Sequence, residues 1–468
     1  MTVHTSPARV SPRKRSLVSD VRDFQRDRLG MLLRLSGECG DIGPVRLGPT
    51  STVTFANSAE AAGSVLIEHA DDFRKGKSLR LYMRPVIGDG LLSTSGAAHR
   101  YQRQLVAPAF RHNRVAAYAE IMTSYAERAQ QGWRDGEMID IGPAMTRVTL
   151  GIVGKVLFDA DMVDEADELG AALTEALRYA SSQLASPVHV PLSWPTPRNR
   201  RVQRAIARLN TTIYGMIEER RTSAERREDV LSLLLSARGE DGSRLSVKQV
   251  RDEAMTLFIV GHDTVANALA WTWCLLAQHP DVYARMRAEV DAALHGRTPA
   301  VADLPQLPYT LQVFKESLRL YPPAYVLSRQ AVRDVEVSGY RVPAGSVVIV
   351  SPYTMHRRPD YFPDPERFDP DRFTPETEAR LPRHAYLPFG AGPRICIGNH
   401  FALMEGQLVL ATLAQRVTFE WPDGQRIMPE PLINLRPKRG TVVRVRRRSP
   451  IAHAGTGRGE QVCVQKTV

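Results

Sequence analysis

One ten-residue loop constrains this chain more than any other segment. Residues 389–398 read Phe-Gly-Ala-Gly-Pro-Arg-Ile-Cys-Ile-Gly. The run frames one cysteine, Cys396, so that it can be held as a bare thiolate. Gly390, Gly392 and Gly398 let the backbone fold tightly and point N–H groups at the sulfur. Phe389 supplies an apolar wall. Arg394, two residues before the cysteine, supplies a cation within reach of an anionic group. A thiolate held this way has one strong axial bond to give.

The rest of the composition narrows the setting. Of 468 residues, 43% are apolar and 24% charged, enough for a sizeable core. Cys39, Cys274, Cys396 and Cys463 show no CxxC spacing, so there is no disulfide framework and a reducing compartment is expected. The net charge of +11 comes with dispersed arginines, clustered at 198–208, 220–227 and 444–448. No zinc-finger spacing or zipper heptad accompanies them, so nucleic acid is not expected as a partner. Asp20, Asp23 and Asp27 interrupt the basic N-terminal stretch, and no apolar run follows, so no signal peptide is expected. The longest apolar stretch, Val265–Gln278, falls short of the about 20 residues a bilayer requires. The reading is a cytoplasmic protein without a membrane anchor.

Helical periodicity dominates. Helices are expected at 58–69, 97–107, 113–132, 143–158, 165–184, 199–222, 228–237, 246–278, 280–294, 307–320 and 399–416. Ser246 is the expected N-cap of the long one, and Pro280 its end. Strands are few: 43–48, 51–56, 334–337, 346–350 and 440–446, with Pro343-Ala344-Gly345 as the turn between 334–337 and 346–350. Residues 359–389 are proline-rich and read as an irregular path. The expectation is a mainly α fold with small β-sheets, one domain over 17–448, and disordered ends at 1–16 and 449–468.

Chemistry-bearing residues stand out against this frame. Val260-Gly261-His262-Asp263-Thr264 places an acid and an alcohol in an apolar helix, an expensive insertion. Thr264 can bond back to the Val260 carbonyl and weaken that turn. A hydroxyl and a carboxylate there make a proton path beside a metal-bound ligand. Gly261 removes a side chain where something flat can approach. His99 and Arg103, at i and i+4, share a helix face and can clamp a carboxylate. Glu316 and Arg319 also share a face. His262 has no second ligand at metal spacing and is expected to line a pocket or meet solvent. No GxSxG and no GxGxxG after a strand is present, so neither a serine hydrolase nor a built-in nicotinamide domain is supported.

The Phe389–Gly398 loop resembles the haem-binding loop of the cytochrome P450 family, Phe-x-x-Gly-x-Arg-x-Cys-x-Gly, at every fixed position. Val260–Thr264 is similar to the family's oxygen-binding stretch, with two departures. Val260 stands where a small residue is usual, and Val265 where a second threonine is usual, which narrows and dries the pocket. The resemblance covers about residues 40–447. It implies the P450 fold, with haem b between the long helix and the Cys396 loop and Cys396 as axial thiolate. It implies that Phe389 and Gly398 belong to the haem loop, and that His99, Arg103, Arg329 and Arg394 hold the propionates. It also implies that Glu316, Arg319 and Arg367, the last from Pro365-Glu366-Arg367-Phe368, form a buried network fixing that loop.

A haem-thiolate monooxygenase follows, with Asp263 and Thr264 as the catalytic acid–alcohol pair. It would hydroxylate or epoxidise a lipophilic terpenoid, fatty acid or macrolide-like molecule. It would use O2 and electrons from a separate ferredoxin or flavodoxin with its reductase. A peroxide-driven enzyme or a haem sensor would leave Asp263-Thr264 without a task. Pocket walls are expected from 74–92, 180–196, 257–264, 324–327 and 432–435. They would include Arg80, Tyr82, Val260, Ala324, Val326, Leu327 and Ile433, with Arg80 or Tyr82 as polar handles. Arg100, Arg111 and Arg114 are the expected docking patch for the electron carrier.

Overall fold

The structure, a computed structural model, describes residues 23–449 apart from 25, 47–51, 186–189, 224, 226, 239–241 and 439. Segment 1–16 and the tail beyond 449 lie outside the described residues, as do parts of the expected strands 43–48 and 51–56.

The helix Val247–Gln278 is the axis of the fold. Its start is fixed by a reciprocal capping box. Ser246 Oγ accepts the Gln249 N–H at 3.2 Å, and Gln249 Oε1 accepts the Ser246 N–H at 2.9 Å. Pro280 opens the next helix, Pro280–Leu294, where its missing N–H costs nothing. The long helix is buried on nearly every side, as a helix apolar all round must be. Ile141–Phe158 lies along it, so close that a Cβ on Gly261 would come within 3.3 Å of Val153. Among the described residues, Ile141–Phe158 is also the helix long and apolar enough to cross a membrane, but 72% of it is buried within the fold.

Helices Gly96–Val106, Pro308–Leu320 and Asn399–Ala414 complete the surroundings of the site. The last two pack closely, because Gly406 meets the Phe314 ring where a Cβ would sit only 2.4 Å from it. A five-stranded sheet runs in the order Ile42–Arg46, Thr52–Ala56, Val347–Val350, Leu327–Ala331, Phe73–Lys75. Only the Thr52–Ala56 and Val347–Val350 pairing is parallel.

Several expectations change. The stretch expected as one helix over 113–132 breaks into His112–Ala117 and Ala119–Gln131. The strand expected at 334–337 does not pair with 346–350. Val335–Val337 folds back on Tyr340–Val342 through Ser338-Gly339, both with positive φ, and Pro343–Gly345 only links that hairpin onward. Helices Arg28–Cys39 and Lys77–Ile87 were not expected.

Candidate active site

The Cys396 loop folds through its own backbone. Cys396 N–H donates to the Phe389 carbonyl at 2.9 Å, and Ile395 N–H to the Gly392 carbonyl at 3.0 Å. Gly390 and Gly392 both have φ of +69°, and a Cβ on Gly392 would fall 2.0 Å from the Leu66 carbonyl oxygen. These two positions require glycine. Gly398, with φ of −95°, does not; its N–H faces the sulfur and it caps helix Asn399–Ala414. Burial pushes the Cys396 thiol up, against the pull of that N–H, Arg103 and Lys75. The loop alone therefore favours the thiol, and a metal bound at Cys396 would favour the thiolate.

Beside this loop lies a cavity of about 280 Å³, apolar over most of its wall. Thr264, Gly261 and Val260 of the long helix line it, as do Cys396, Phe389, Gly398, Ala324 and Leu327. Thr264 Oγ1 donates to the Val260 carbonyl at 2.7 Å, the back-bond expected, yet the helix continues unbroken through that turn. Asp263 is not in the cavity wall. Its carboxylate accepts a hydrogen bond from Asn434 Nδ2, and its carbonyl one from Asn267 Nδ2 at 2.6 Å. His262 neither lines the pocket nor meets solvent. It is 1% exposed, its Nδ1 lies 2.6 Å from the Phe258 carbonyl, and burial holds its pKa down.

One rim of the cavity gathers His99, Arg103, Arg329, Arg394 and a residue that sequence reasoning missed, Lys75. Lys75 sits directly opposite Arg329 across antiparallel strands. Like charges so placed repel. Burial and the neighbouring cations press His99 down to about 4, and Arg329 and Arg394 each to about 10. Lys75 falls well below its ordinary value for the same reasons. No carboxylate forms an ion pair with any of the five among the described residues. Arg394 gives Nη2 to the Thr94 carbonyl at 2.8 Å but leaves buried Nη1 without a partner. An anion at this rim would stabilise such a cluster. A flat macrocycle with two carboxylates at this rim and its metal over Cys396 fits the donor set.

A buried clasp stands behind the loop. Arg319 grips Glu316 through two bonds of 2.6 and 2.7 Å, both side chains fully buried. It also donates to the carbonyls of His356, Pro365 and Arg367. The expected part of Arg367 is corrected here: its side chain is exposed, and it enters only through its carbonyl. The guanidinium facing Glu316 belongs to Arg372, at 3.5 Å. Pro365-Glu366-Arg367-Phe368 and Pro370-Asp371-Arg372-Phe373 are near-repeats, and the fold turns the second inward. His356 connects clasp to loop. Its Nδ1 lies 3.2 Å from the Arg319 carbonyl, and its Nε2 accepts the Leu387 N–H at 2.8 Å. Burial and Arg319 hold its pKa near 3, so it is neutral.

The comparisons with known proteins agree with this geometry. A sequence model of the cytochrome P450 family matches residues 19–444. The chain belongs to the cytochrome P450 family. It is a monooxygenase, and the family's cofactor is haem iron with a thiolate ligand. Cyclooctatin synthase of Streptomyces melanosporofaciens is 39% identical over 85% of this chain and 86% of its own. Cyclooctat-9-en-7-ol 5-monooxygenase of the same organism is 38% identical over 81% and 82%. Pentalenene oxygenase of Streptomyces avermitilis is 33% identical over 96% and 100%. The crystal structure of the cytochrome P450DA heme domain superposes with a TM-score of 0.85 at 26% identity, covering 94% of this chain and 97% of that one. The P450 fold expected from the motifs is the fold observed.

Four expected pocket residues do not line the P450 cavity. Arg80 is exposed on helix Lys77–Ile87, and Tyr82 of the same helix is half-buried outside the wall. Val326 packs against the separate cluster that includes Leu29 and Leu32, and Ile433 against the main core. The described residues of 180–196 and 432–435 contribute nothing to the wall.

Proposed function

We propose that this P450 oxidises a terpenoid, with Cys396 as the axial ligand of haem b and His99, Arg103, Arg329, Arg394 and Lys75 around its propionates. The apolar cavity between Cys396 and Thr264 carries the reading. Leu91, Leu92, Val153, Leu257 and Val260 wall it without a carboxylate, and its cations stand together at the rim. A hydrocarbon or a terpene alcohol suits such a wall. The relatives named for cyclooctatin, cyclooctat-9-en-7-ol and pentalenene support the same class. A fatty-acid anchor at Arg80 loses its support, because that side chain is outside the cavity.

Haem iron, when bound, supplies the activation of O2 and the transfer of one oxygen atom to a C–H or C=C bond. The residues supply position and protons. Thr264 Oγ1, held against the Val260 carbonyl, faces the cavity and can pass a proton into it. Asp263 resupplies protons from outside once its carboxylate leaves Asn434. Val260 and Val265 keep bulk water off the reacting face. Electrons come from a separate ferredoxin or flavodoxin with its reductase, in the cytoplasm. Arg100, Arg111 and Arg114 are exposed or half-exposed and form the docking patch, although Arg100 faces Asp71 at 3.6 Å and Arg114 binds Glu228 at 2.9 Å.

Titrating the haem protein with cyclic sesquiterpenes, cyclic diterpenes, fatty acids and a macrolide tests the reading. Cyclic terpenes should shift the haem spin state at least tenfold more tightly than the others, about 1.4 kcal/mol. A preference for fatty acids rejects the terpenoid assignment.

A further inference from the structure

Arg251-Asp252-Glu253 are consecutive on the long helix, and all three are buried. Each grips the same neighbouring segment. Arg251 Nη2 donates to the Val86 carbonyl at 2.8 Å. Asp252 Oδ2 accepts the Asp89 N–H, and Glu253 Oε2 accepts the Leu91 N–H, both at 3.0 Å. The fit is tight. A Cβ on Gly88 would meet Asp252 Oδ1 at 2.1 Å, and one on Gly90 would meet Thr256 Oγ1 at 2.3 Å. The next residues of that segment, Leu91 and Leu92, are cavity wall.

Glu253 differs from its two neighbours. Asp252 is neutralised by Lys248 at 2.6 Å and Arg251 at 2.8 Å. Among the described residues Glu253 pairs with no cation: one oxygen holds the Leu91 N–H, and the other is buried without a partner. The charge that acts on it is Asp252 of its own helix, itself paired with Lys248 and Arg251, while Asp89 of the segment binds Arg84 at 2.9 Å. From helix Pro197–Thr222, the neutral Asn210 accepts from Arg251 at 2.9 Å.

We propose that Glu253 is a positioning residue for the substrate cavity, a carboxyl latch that holds the Gly88–Leu92 segment closed while protonated and releases it when ionised. The physical basis is linkage. Burial, with Asp252 adding to it, pushes the Glu253 carboxyl up to about 7 from an ordinary 4.5, against the pull of the Leu91 N–H. An unlatched, hydrated Glu253 ionises at its ordinary value. The latch is therefore whole below about pH 4.5, weakens as pH rises towards 7, and stays weakened above that. The consequence for substrate rests on the cavity being the terpenoid site; the latch itself does not.

Amide hydrogen exchange of residues 88–94, corrected for the intrinsic pH dependence of exchange, reads the latch directly. Between pH 5.5 and 7.5 opening should increase on the order of tenfold in the wild type. Glu253→Gln, neutral at every pH, should show no such increase; if it does not fold, Glu253→Met gives the same comparison. A wild-type segment that exchanges equally at both pH values overturns the proposal, and so does a neutral variant that keeps the wild-type increase. Terpene affinity, read by the spin-state shift, should weaken over the same range in the wild type and stay level in Glu253→Gln. A haem spin state that no terpene tested shifts, alongside pH-dependent exchange, would sink the substrate assignment and leave the latch standing.

Discussion

At the scale of single residues, Thr264 carries the most specific expectation. Its hydroxyl donates to the Val260 carbonyl and its oxygen faces the cavity, so its lone pairs can hold a water there and its proton can turn inward only when that back-bond is given up. Removing it takes away the positioned donor but little packing. Thr264→Ala should keep fold, haem and substrate affinity, still consume reductant, and divert much of it to hydrogen peroxide. Product formed per NADPH decides the matter; unchanged coupling removes Thr264 from the proton path. Asp263→Asn should act differently, slowing turnover by ~10²-fold, the scale of a lost general acid. Solvent isotope effects on both variants separate the two roles. The acid–alcohol pair was legible in the sequence because a polar pair in an apolar helix is costly. Its separation was not: Asn434, far along the chain, holds Asp263 away from the cavity, and no spacing rule reports a partner at that distance.

At the scale of elements, the clasp behind the Cys396 loop shows what a motif can and cannot specify. Glu316 and Arg319 were legible as an i, i+3 pair. The choice between Arg367 and Arg372 was not, because both stand in the same Pro-(Glu/Asp)-Arg-Phe setting, five residues apart. Packing makes the choice, burying Arg372 beside Glu316 and leaving Arg367 outside. Arg367→Ala should therefore leave urea unfolding almost unchanged, within about 0.5 kcal/mol. Arg319→Ala strands a buried carboxylate and should cost about 3–5 kcal/mol. Arg372→Ala should fall between them, and equal costs for Arg367 and Arg372 would contradict the arrangement. The elements themselves were mostly legible, to within a residue or two for the long helix and its neighbours. The hairpin at Ser338-Gly339 was overlooked although its two-residue turn is a readable signal. Asp27, whose Oδ1 accepts the Gly30 N–H at 2.9 Å, likewise marks the unexpected helix Arg28–Cys39.

At the scale of the whole molecule, the structure concentrates positive charge at a rim where no carboxylate among the described residues pairs with it. The family resemblance already grouped His99, Arg103, Arg329 and Arg394 around the propionates. The sheet register, which sets Lys75 against Arg329, adds a fifth member to that field. That field has a thermodynamic consequence for haem-free protein. His99 is held near 4 against an ordinary 6.5, so the unfolded chain takes up this proton first as pH falls. Stability should then drop between pH 6.5 and 4 and level off below. If the proposed haem propionates sit at the rim, they would reverse the local field, draw the His99 value back up, and cancel most of this loss. His356, near 3, and His262, also held down, act in the same direction with or without haem, so they do not obscure the comparison. Thermal unfolding of haem-free and haem-loaded protein should diverge as pH falls through this window, the gap in Tm widening by about 3 °C. His99→Asn should remove most of the widening. Parallel curves would mean that the rim does not sense the cofactor's carboxylates, and the assignment of His99 to them would fail.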